Sequence, residues 1–456
     1  MLRSLTHSRE TAVCFQFSRE RPFPKDAIMN LDELGHAYYT AMYRVLTEQS
    51  ILFRPITTAL SARHVSIMSR LKNSSDYQKV VKLSEPIALE GGSDAVVINR
   101  YRRFVQAQFQ LPEQHWQSFT RADVRADEIG VARISRKHGN QTVKFELLDQ
   151  LPHTLAAGAT GSGKTEMMKS SLIALINTHT PDKLGIGIID PKRDKYREFE
   201  NVAHMVSPIA KDANEIKDLI AWFGSEYVRR RNNSEFIANG GKRLVLVVDE
   251  AQDGQVIGMK VDKSLNTHNL SIIHKLATQG REYGIHLFIG TQKPERDNLP
   301  GILDNLDNRY VGKVVDAKAS SNATGLPGVG AHLLTAQGDF LYVPNAFDVV
   351  RFQVAMATAA DYDRLPRVEA VVPAVPESAT AVFNVPTKRV GRPKKCPQPN
   401  LVARYIIAGP DNISLAFAAE KFNLSRTEHE RNRNFATRLI KEINRLRELK
   451  RRIEHG

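Results

Sequence analysis

Three features of the chain predict an α/β fold built on a parallel sheet. Gly158 to Thr165 spells G-x-x-x-x-G-K-[ST], the phosphate-binding P-loop, with a short apolar run (Thr154–Ala157) before it and a helical pattern after it. Downstream, uniformly apolar runs alternate with helical stretches, as in a sheet covered on both faces. Polar residues also follow those runs directly: Asp190 after Leu184–Ile189, Asp249 and Glu250 after Leu244–Val248, and Gln292 after Ile285–Gly290. In parallel sheets ligands sit at the carboxyl ends of the strands, so these residues and the P-loop are expected on one rim.

Taken in order, residues 1–30 read as a loose leader with a breaker cluster at Arg21-Pro-Phe-Pro-Lys25. Residues 31–124 read as a small α+β domain. Leu31, Leu34, Tyr38, Met42 and Val45 recur at helical spacing up to about Glu48, a second helix is expected over Ser61–Leu71, and strands at 94–97 and 104–109. This block has no chemical signature and reads as a scaffold or oligomerisation module. The core domain is expected over 125–365. It opens with a hairpin through Ile129–Leu147 turning at His138-Gly-Asn140. Helices are expected at Ala213–Arg231 and Leu270–Tyr283, and further strands at Tyr310–Val314 and Asp339–Val343. Residues 366–400, with seven prolines, form a linker. The tail, 401–456, reads as a short helix, a second over Ser414–Phe422, and a third capped by Ser425 and running to about Arg452; it resembles a helix-turn-helix or winged-helix module.

A hydrophobic content of 42% and charged content of 25% are those of a soluble globular protein. The net charge of +14 favours a polyanionic partner, either nucleic acid or an anionic membrane surface. Only two cysteines occur, Cys14 and Cys396, which excludes a disulfide framework and fits a reducing compartment. The chain has no transmembrane-length apolar run and no signal-peptide core, so a cytoplasmic, unanchored protein is expected.

The P-loop residues Gly158, Ala159, Thr160, Gly161, Ser162 and Gly163 are expected to turn backbone N–H groups onto a nucleotide's phosphates. Lys164 adds positive charge at the β and γ phosphates, and the Thr165 hydroxyl ligates Mg²⁺. Asp249 and Glu250 either cap the next helix or divide the hydrolytic work, Asp249 in the Mg²⁺ shell and Glu250 as the base that polarises water. Gln292 is either a surface loop residue or a hydrogen-bonding partner of the γ-phosphate. Arg281 is either a solvated cation at a helix end or an arginine finger reaching a neighbouring subunit, with Arg309 a weaker candidate for that task. In the linker, Gly391-Arg392-Pro393 flanked by Arg389 and Lys394 has the form of an AT-hook for the minor groove, against the alternative of a plain basic linker. In the tail, Arg431, Arg433 and Arg438 sit among interspersed glutamates; they are either solvated helical charge or DNA contacts.

These segments together resemble the FtsK/SpoIIIE DNA translocases of the HerA/FtsK superfamily. The resemblance lies in Leu151-Pro-His-Thr-Leu-Ala-Ala-Gly-Ala-Thr-Gly-Ser-Gly-Lys-Thr165, Ile189-Asp-Pro-Lys192, Asp249-Glu250, Arg281-Glu-Tyr-Gly-Ile-His-Leu-Phe-Ile-Gly-Thr-Gln292 and Gly338-Asp-Phe-Leu341, across roughly residues 125–345. It implies a RecA-like core, a homohexameric ring, ATP and Mg²⁺ as cofactors, and movement along double-stranded DNA. It also implies that Arg281 acts in trans, that Gln292 senses the γ-phosphate, and that the tail is the counterpart of a winged helix. The family's chromosome-segregating members carry membrane segments, which are missing here, so the expectation is a motor of a mobile element, phage or plasmid. Two other readings stand beside it. One is a packaging or conjugative coupling ATPase with a portal, recombinase or relaxase as partner. The other is a DNA-binding partition or regulatory protein whose ATPase is only a switch.

Overall fold

The computed structural model describes residues 31–101, 103–135, 140–145, 152–192, 194–233, 241–253, 256, 263–295, 297–335, 337–344 and 348–371. The N-terminal block runs α1 (Leu31–Glu48), β1 (Phe53–Leu60), β2 (His64–Leu71), α2 (Tyr77–Lys82), α3 (Ser84–Gly91), β3 (Val96–Tyr101) and β4 (Phe104–Gln110). Its strands form an antiparallel sheet in the order β1-β2-β4-β3. Leu34, Tyr38 and Met42 of α1 bury against Ile67, Ile98 and Phe109 of the sheet, with Tyr38 and Phe109 stacked at 4.6 Å.

The helix expected over Ser61–Leu71 is instead mostly strand β2. Val65 and Ile67 alternate with Ser66, a period of two on β-branched residues. Sheet pairing on both edges decides such a short run where helical spacing does not. The opposite face of this sheet is polar yet buried: Ser66, Asn99, Gln106 and Gln108 turn away from α1. Part of it lines a cavity of about 270 Å³ shared with Lys144, Tyr342 and Arg351 of the core domain.

The core domain continues with β5 (Phe119–Thr120), β6 (Glu128–Arg133), β7 (Gln141–Lys144), β8 (Thr154–Ala157), α4 (Lys164–Thr178), β9 (Leu184–Ile189), α5 (Ala213–Asn232) and β10 (Arg243–Val248). It then runs α6 (Lys263–Gln279), β11 (Ile285–Thr291), β12 (Asn308–Val311), α7 (Ala317–Thr324), β13 (Asp339–Val343), β14 (Val350–Met356) and α8 (Ala359–Asp363). One sheet takes the order β7-β6-β14-β13-β12-β8-β11-β10-β9, with β5 pairing on β14. The stretch β12-β8-β11-β10-β9 is parallel, while β13, β14, β6 and β7 extend it antiparallel. The sheet is therefore mixed. Its parallel part, in chain order fifth-first-fourth-third-second from the P-loop strand, is the arrangement of a RecA-like P-loop ATPase.

Strand β14 lies beyond the last strand expected from the sequence. Its Val350-Arg-Phe-Gln-Val-Ala alternation is strand-like, but the polar members are buried rather than solvated. Arg351 makes a two-pronged bond to Asp339 at 2.6 and 3.0 Å, and Gln353 accepts from Arg63 Nε at 2.9 Å. Arg63 also lies over the Trp116 ring, 4.4 Å from its centroid, so one guanidinium ties the N-terminal block to the core sheet.

Among the described residues no helix is long and apolar enough to cross a membrane. The leader, most of the linker, the hook residues Arg389, Gly391, Arg392, Pro393 and Lys394, and the tail residues Arg431, Arg433 and Arg438 lie outside the described residues.

Candidate nucleotide-binding site

The site forms where β8, β10 and β11 end. β8 lies two strands from β10, with β11 between them. At ~4.8 Å per strand, roughly 10 Å separates the P-loop backbone from the acids, a gap that long side chains from both directions can close. Gly290, on the intervening strand, keeps that space open: a Cβ there would meet Asp249 Oδ1 at 2.9 Å and Met168 Sδ at 2.7 Å.

Gly163 ends the P-loop at φ 90° as the residue before α4. A Cβ there would meet the Gly338 amide nitrogen at 2.7 Å, because that amide donates to Ser162 O at 2.9 Å. The Gln337 amide likewise donates to Gly161 O at 3.3 Å, so the loop's carbonyls are turned outward onto the segment before β13. The amides of Gly158, Ala159 and Ser162 donate to Thr291 O, Lys313 O and Ala159 O, so these three do not serve a phosphate as expected; the amides of Gly161 and Gly163 and the first-turn amides of α4 are left to receive an anion. Ser162 Oγ is buried without a hydrogen-bond partner among the described residues. A phosphate oxygen would satisfy it, so this cradle fits a nucleotide.

Lys164, only 5% exposed, donates to Asp249 Oδ1 and lies 3.5 Å from Glu250 Oε1. Thr165 Oγ1 donates to Asp249 Oδ2 at 3.3 Å, which brings the two proposed Mg²⁺ ligands together. Among the described residues no group of three or more His, Cys, Asp or Glu side chains is placed to hold a metal. The Thr165 hydroxyl and the Asp249 carboxylate are hard oxygen donors of the kind Mg²⁺ takes, so these residues would fit that ion.

Glu250 has φ 56°, a left-handed conformation that costs a non-glycine residue about 1 kcal/mol. Its carboxylate is correspondingly well held. It accepts from Gln292 Nε2 at 2.6 Å, from Gln252 Nε2, and from Lys192 and Lys195 at 3.0 and 3.2 Å. Burial pushes its pKa up, but Lys164, Lys192, Gln292 and Lys195 outweigh burial and bring it down to about 2. In this arrangement Glu250 is a fixed anion and a hydrogen-bond acceptor. Gln292 also accepts from Thr160 Oγ1 at 3.0 Å, which joins the P-loop directly to β11.

Three participants have no role assigned from the sequence. Gln252 accepts from Thr291 Oγ1 at 2.8 Å while donating to Glu250, orienting the carboxylate from behind. Lys192 and Lys195 follow Asp190 in the visible cation-rich run Asp190-Pro-Lys-Arg-Asp-Lys195, but only the fold turns that run across β10.

Arg281 is not brought to this rim. It is exposed on the 3₁₀ turn Gly280–Tyr283 before β11, and Gln292 follows the far end of that seven-residue strand. At ~3.3 Å per residue the separation is roughly 23 Å, so Arg281 has no reach to its own chain's site. Arg309 is committed elsewhere: its guanidinium donates to the carbonyls of Leu303, Leu306, Asn322 and Ala323 at 2.8–3.3 Å. It is a structural clasp rather than a finger.

Pro152 and His153 also receive a physical explanation. The Leu287 amide donates to His153 Nδ1 at 3.1 Å, and His286 Nδ1 bonds Pro152 O at 2.9 Å. The two dipeptides latch β8 to β11 beneath the P-loop. Burial first, then His286 and Arg281, lower the His153 pKa to about 3, so the imidazole is neutral and free to accept.

With that geometry in view, comparison with known proteins is informative. Residues 120–309 match the model of the FtsK/SpoIIIE family. The chain is 29% identical over 239 residues to the DNA translocase FtsK of Campylobacter jejuni, covering 48% of this chain and 24% of that protein. It is 28% identical over 241 residues to the DNA translocase SftA of Bacillus subtilis, covering 48% and 24%. The chain thus spans about a quarter of the length of these curated relatives. Among solved structures, the pCW3 conjugation coupling protein TcpA with ATPγS aligns at TM-score 0.45 and 19% identity, covering 71% of this chain and 95% of that one. The cytoplasmic domain of the type VII secretion ATPase EccC of Thermomonospora curvata aligns at TM-score 0.42 and 23% identity, covering 50% and 28%. The stretch that folds into the P-loop, the acidic strand end and the latch between them is thus the part of the chain that is similar to the FtsK/SpoIIIE family.

Proposed function

We propose that the chain is an ATP-driven motor for double-stranded DNA that works as a ring, expected to be hexameric, in the cytoplasm and in the service of a mobile element, phage or plasmid. The observation that carries this reading is the single hydrogen-bonded constellation of Lys164, Thr165, Asp249, Glu250 and Gln292 at the rim of a RecA-like sheet. The curated relatives named DNA translocases and the net charge of +14 support duplex DNA as the track.

In this reading the free P-loop amides and Ser162 Oγ bind the phosphates, and Lys164 moves its charge from Asp249 to the β and γ phosphates. Thr165 and Asp249 would hold Mg²⁺, which would supply neutralisation of the charge that develops on the phosphates during transfer. Glu250 orients the attacking water, with Gln252 and Gln292 fixing the carboxylate. A carboxylate held near pKa 2 is a poor base; it becomes a better one once Lys164 has transferred to phosphate. Arg281 from the neighbouring subunit completes the site.

The test is ATP hydrolysis by the full chain with and without long duplex DNA, together with displacement of a triplex-forming strand. Duplex stimulation with triplex displacement supports the motor. Stimulation by single strands alone indicates a helicase. DNA binding with ATP turnover but no displacement indicates an ATP-switched DNA-binding protein.

A further inference from the structure

Lys195 is placed in a manner that the nucleotide-site reading does not require. Its ammonium lies 3.2 Å from Asp249 Oδ2, 3.2 Å from Glu250 Oε1 and 3.4 Å from Thr165 Oγ1. Two of these oxygens belong to the pair, Thr165 and Asp249, that would ligate Mg²⁺. A monovalent cation on a tether therefore sits on the oxygens a divalent one needs.

Its backbone is built into the fold. Asp194 takes φ 74°, the Lys195 amide donates to Asp190 Oδ2 at 2.8 Å, and the next residue, Tyr196, is fully buried with its hydroxyl on Met168 Sδ at 3.5 Å. The Lys195 side chain is 30% exposed, so it has a path to solvent while its backbone stays fixed. The other oxygen of Asp190, Oδ1, is buried without a partner among the described residues and lies in the same cluster.

Charge bookkeeping sharpens the point. Lys164, Lys192 and Lys195 face the carboxylates of Asp249 and Glu250 with the Asp190 carboxylate beside them, three positive charges against three negative, a balance that an added divalent ion would upset. Lys164 is drawn toward the phosphates when a nucleotide binds. Lys195 points at the metal ligands, where a second cation is electrostatically excluded.

We propose that Lys195 is a tethered counter-ion that competes with Mg²⁺ for Thr165 and Asp249, so that metal loading requires its side chain to swing out. The proposal rests on the P-loop reading of the site. In the metal-free site Lys195 keeps the buried acids compensated. Its departure on loading removes one of the cations that hold Glu250 Oε1 and leaves Lys192 and Gln292 in place there, so the charge around the catalytic acid changes as the metal arrives.

The experiment uses the full chain as wild type, Lys195→Met and Lys195→Arg. Binding of a fluorescent non-hydrolysable ATP analogue is followed while Mg²⁺ is titrated, and thermal melting without nucleotide is followed with and without Mg²⁺. The Lys195→Met variant is expected to reach half-maximal Mg²⁺-dependent binding at about tenfold lower Mg²⁺, since a competing ligand and the metal weaken each other reciprocally. It should also melt lower than wild type without metal and recover when Mg²⁺ is added. Lys195→Arg, which keeps the charge, should stay near the wild-type Mg²⁺ requirement. An unchanged or increased Mg²⁺ requirement in a folded Lys195→Met overturns the competition. A wild type that binds no nucleotide at any Mg²⁺ concentration overturns the P-loop reading and this proposal with it.

Discussion

Replacing His153 by Asn removes one titrating group from beneath the P-loop while leaving an acceptor, the amide oxygen, for the Leu287 N–H. In the folded chain His153 accepts that N–H on Nδ1, is 2% exposed, and has its pKa lowered to about 3 by burial, then by His286 and Arg281. In the unfolded chain an imidazole titrates near 6.5. Because the folded pKa is depressed, the unfolded state takes up the proton first as pH falls. Stability is therefore lost between the unfolded pKa and the folded one, and is fully retained above about pH 7. At pH 5 the gap amounts to about 1.5 pH units at 1.36 kcal/mol each, or about 2 kcal/mol; at pH 8 it is close to zero. Urea unfolding followed by the fluorescence of the two tryptophans, Trp116 and Trp222, provides the assay. The variant is expected to be somewhat less stable than wild type at pH 8, through lost packing, and to gain about 2 kcal/mol relative to it by pH 5. A difference between the two proteins that stays flat from pH 8 to pH 5 would refute the latch as described.

Glu250→Gln should still bind the ATP analogue but lose turnover by at least ~10²-fold, since it keeps the side chain's shape and removes the charge that polarises water; turnover near wild type would remove Glu250 from the chemistry. Arg351→Met should cost about 3–5 kcal/mol in chemical unfolding, because it leaves Asp339 buried without its cation; a cost below about 1 kcal/mol would show the pair to be dispensable. Arg63→Ala strips Gln353 of a buried partner and should cost about 1–3 kcal/mol while leaving nucleotide binding intact. Gly163→Ala should abolish nucleotide binding, as its φ of 90° and the Gly338 amide at 2.7 Å both exclude a side chain, and isothermal titration against the analogue reads this directly.

The rim was legible because its rules are local. Gly158–Thr165 encodes a backbone turn, and the acids at 249–250 and Gln292 announce themselves by ending apolar runs; the strands before them are read from composition alone. The β2 segment was misread because eight residues of mixed apolar and polar character satisfy both periods until neighbours pair with them. β14, through which the expected hairpin β6-β7 and strand β13 join into one sheet, escaped for a related reason: Arg351 and Gln353 look solvated in sequence, and only Asp339 and Arg63, distant in the chain, make their burial tolerable. Pro152-His153 and His286 were visible as a pattern, but their function as a latch between β8 and β11 needs the parallel pairing of those strands.

The sequence by itself determined that a phosphate-binding loop, two terminal acids and a glutamine share one side of an α/β domain, because strand direction places every strand's end without reference to distant contacts. The tertiary structure alone decided which side chains meet there. It put Arg281 at the opposite end of β11, turned Arg309 into a clasp, and carried Lys192, Lys195 and Gln252 onto the acids. Those outcomes depend on where loops return across neighbouring strands, and in this chain that is set by long-range pairing and burial.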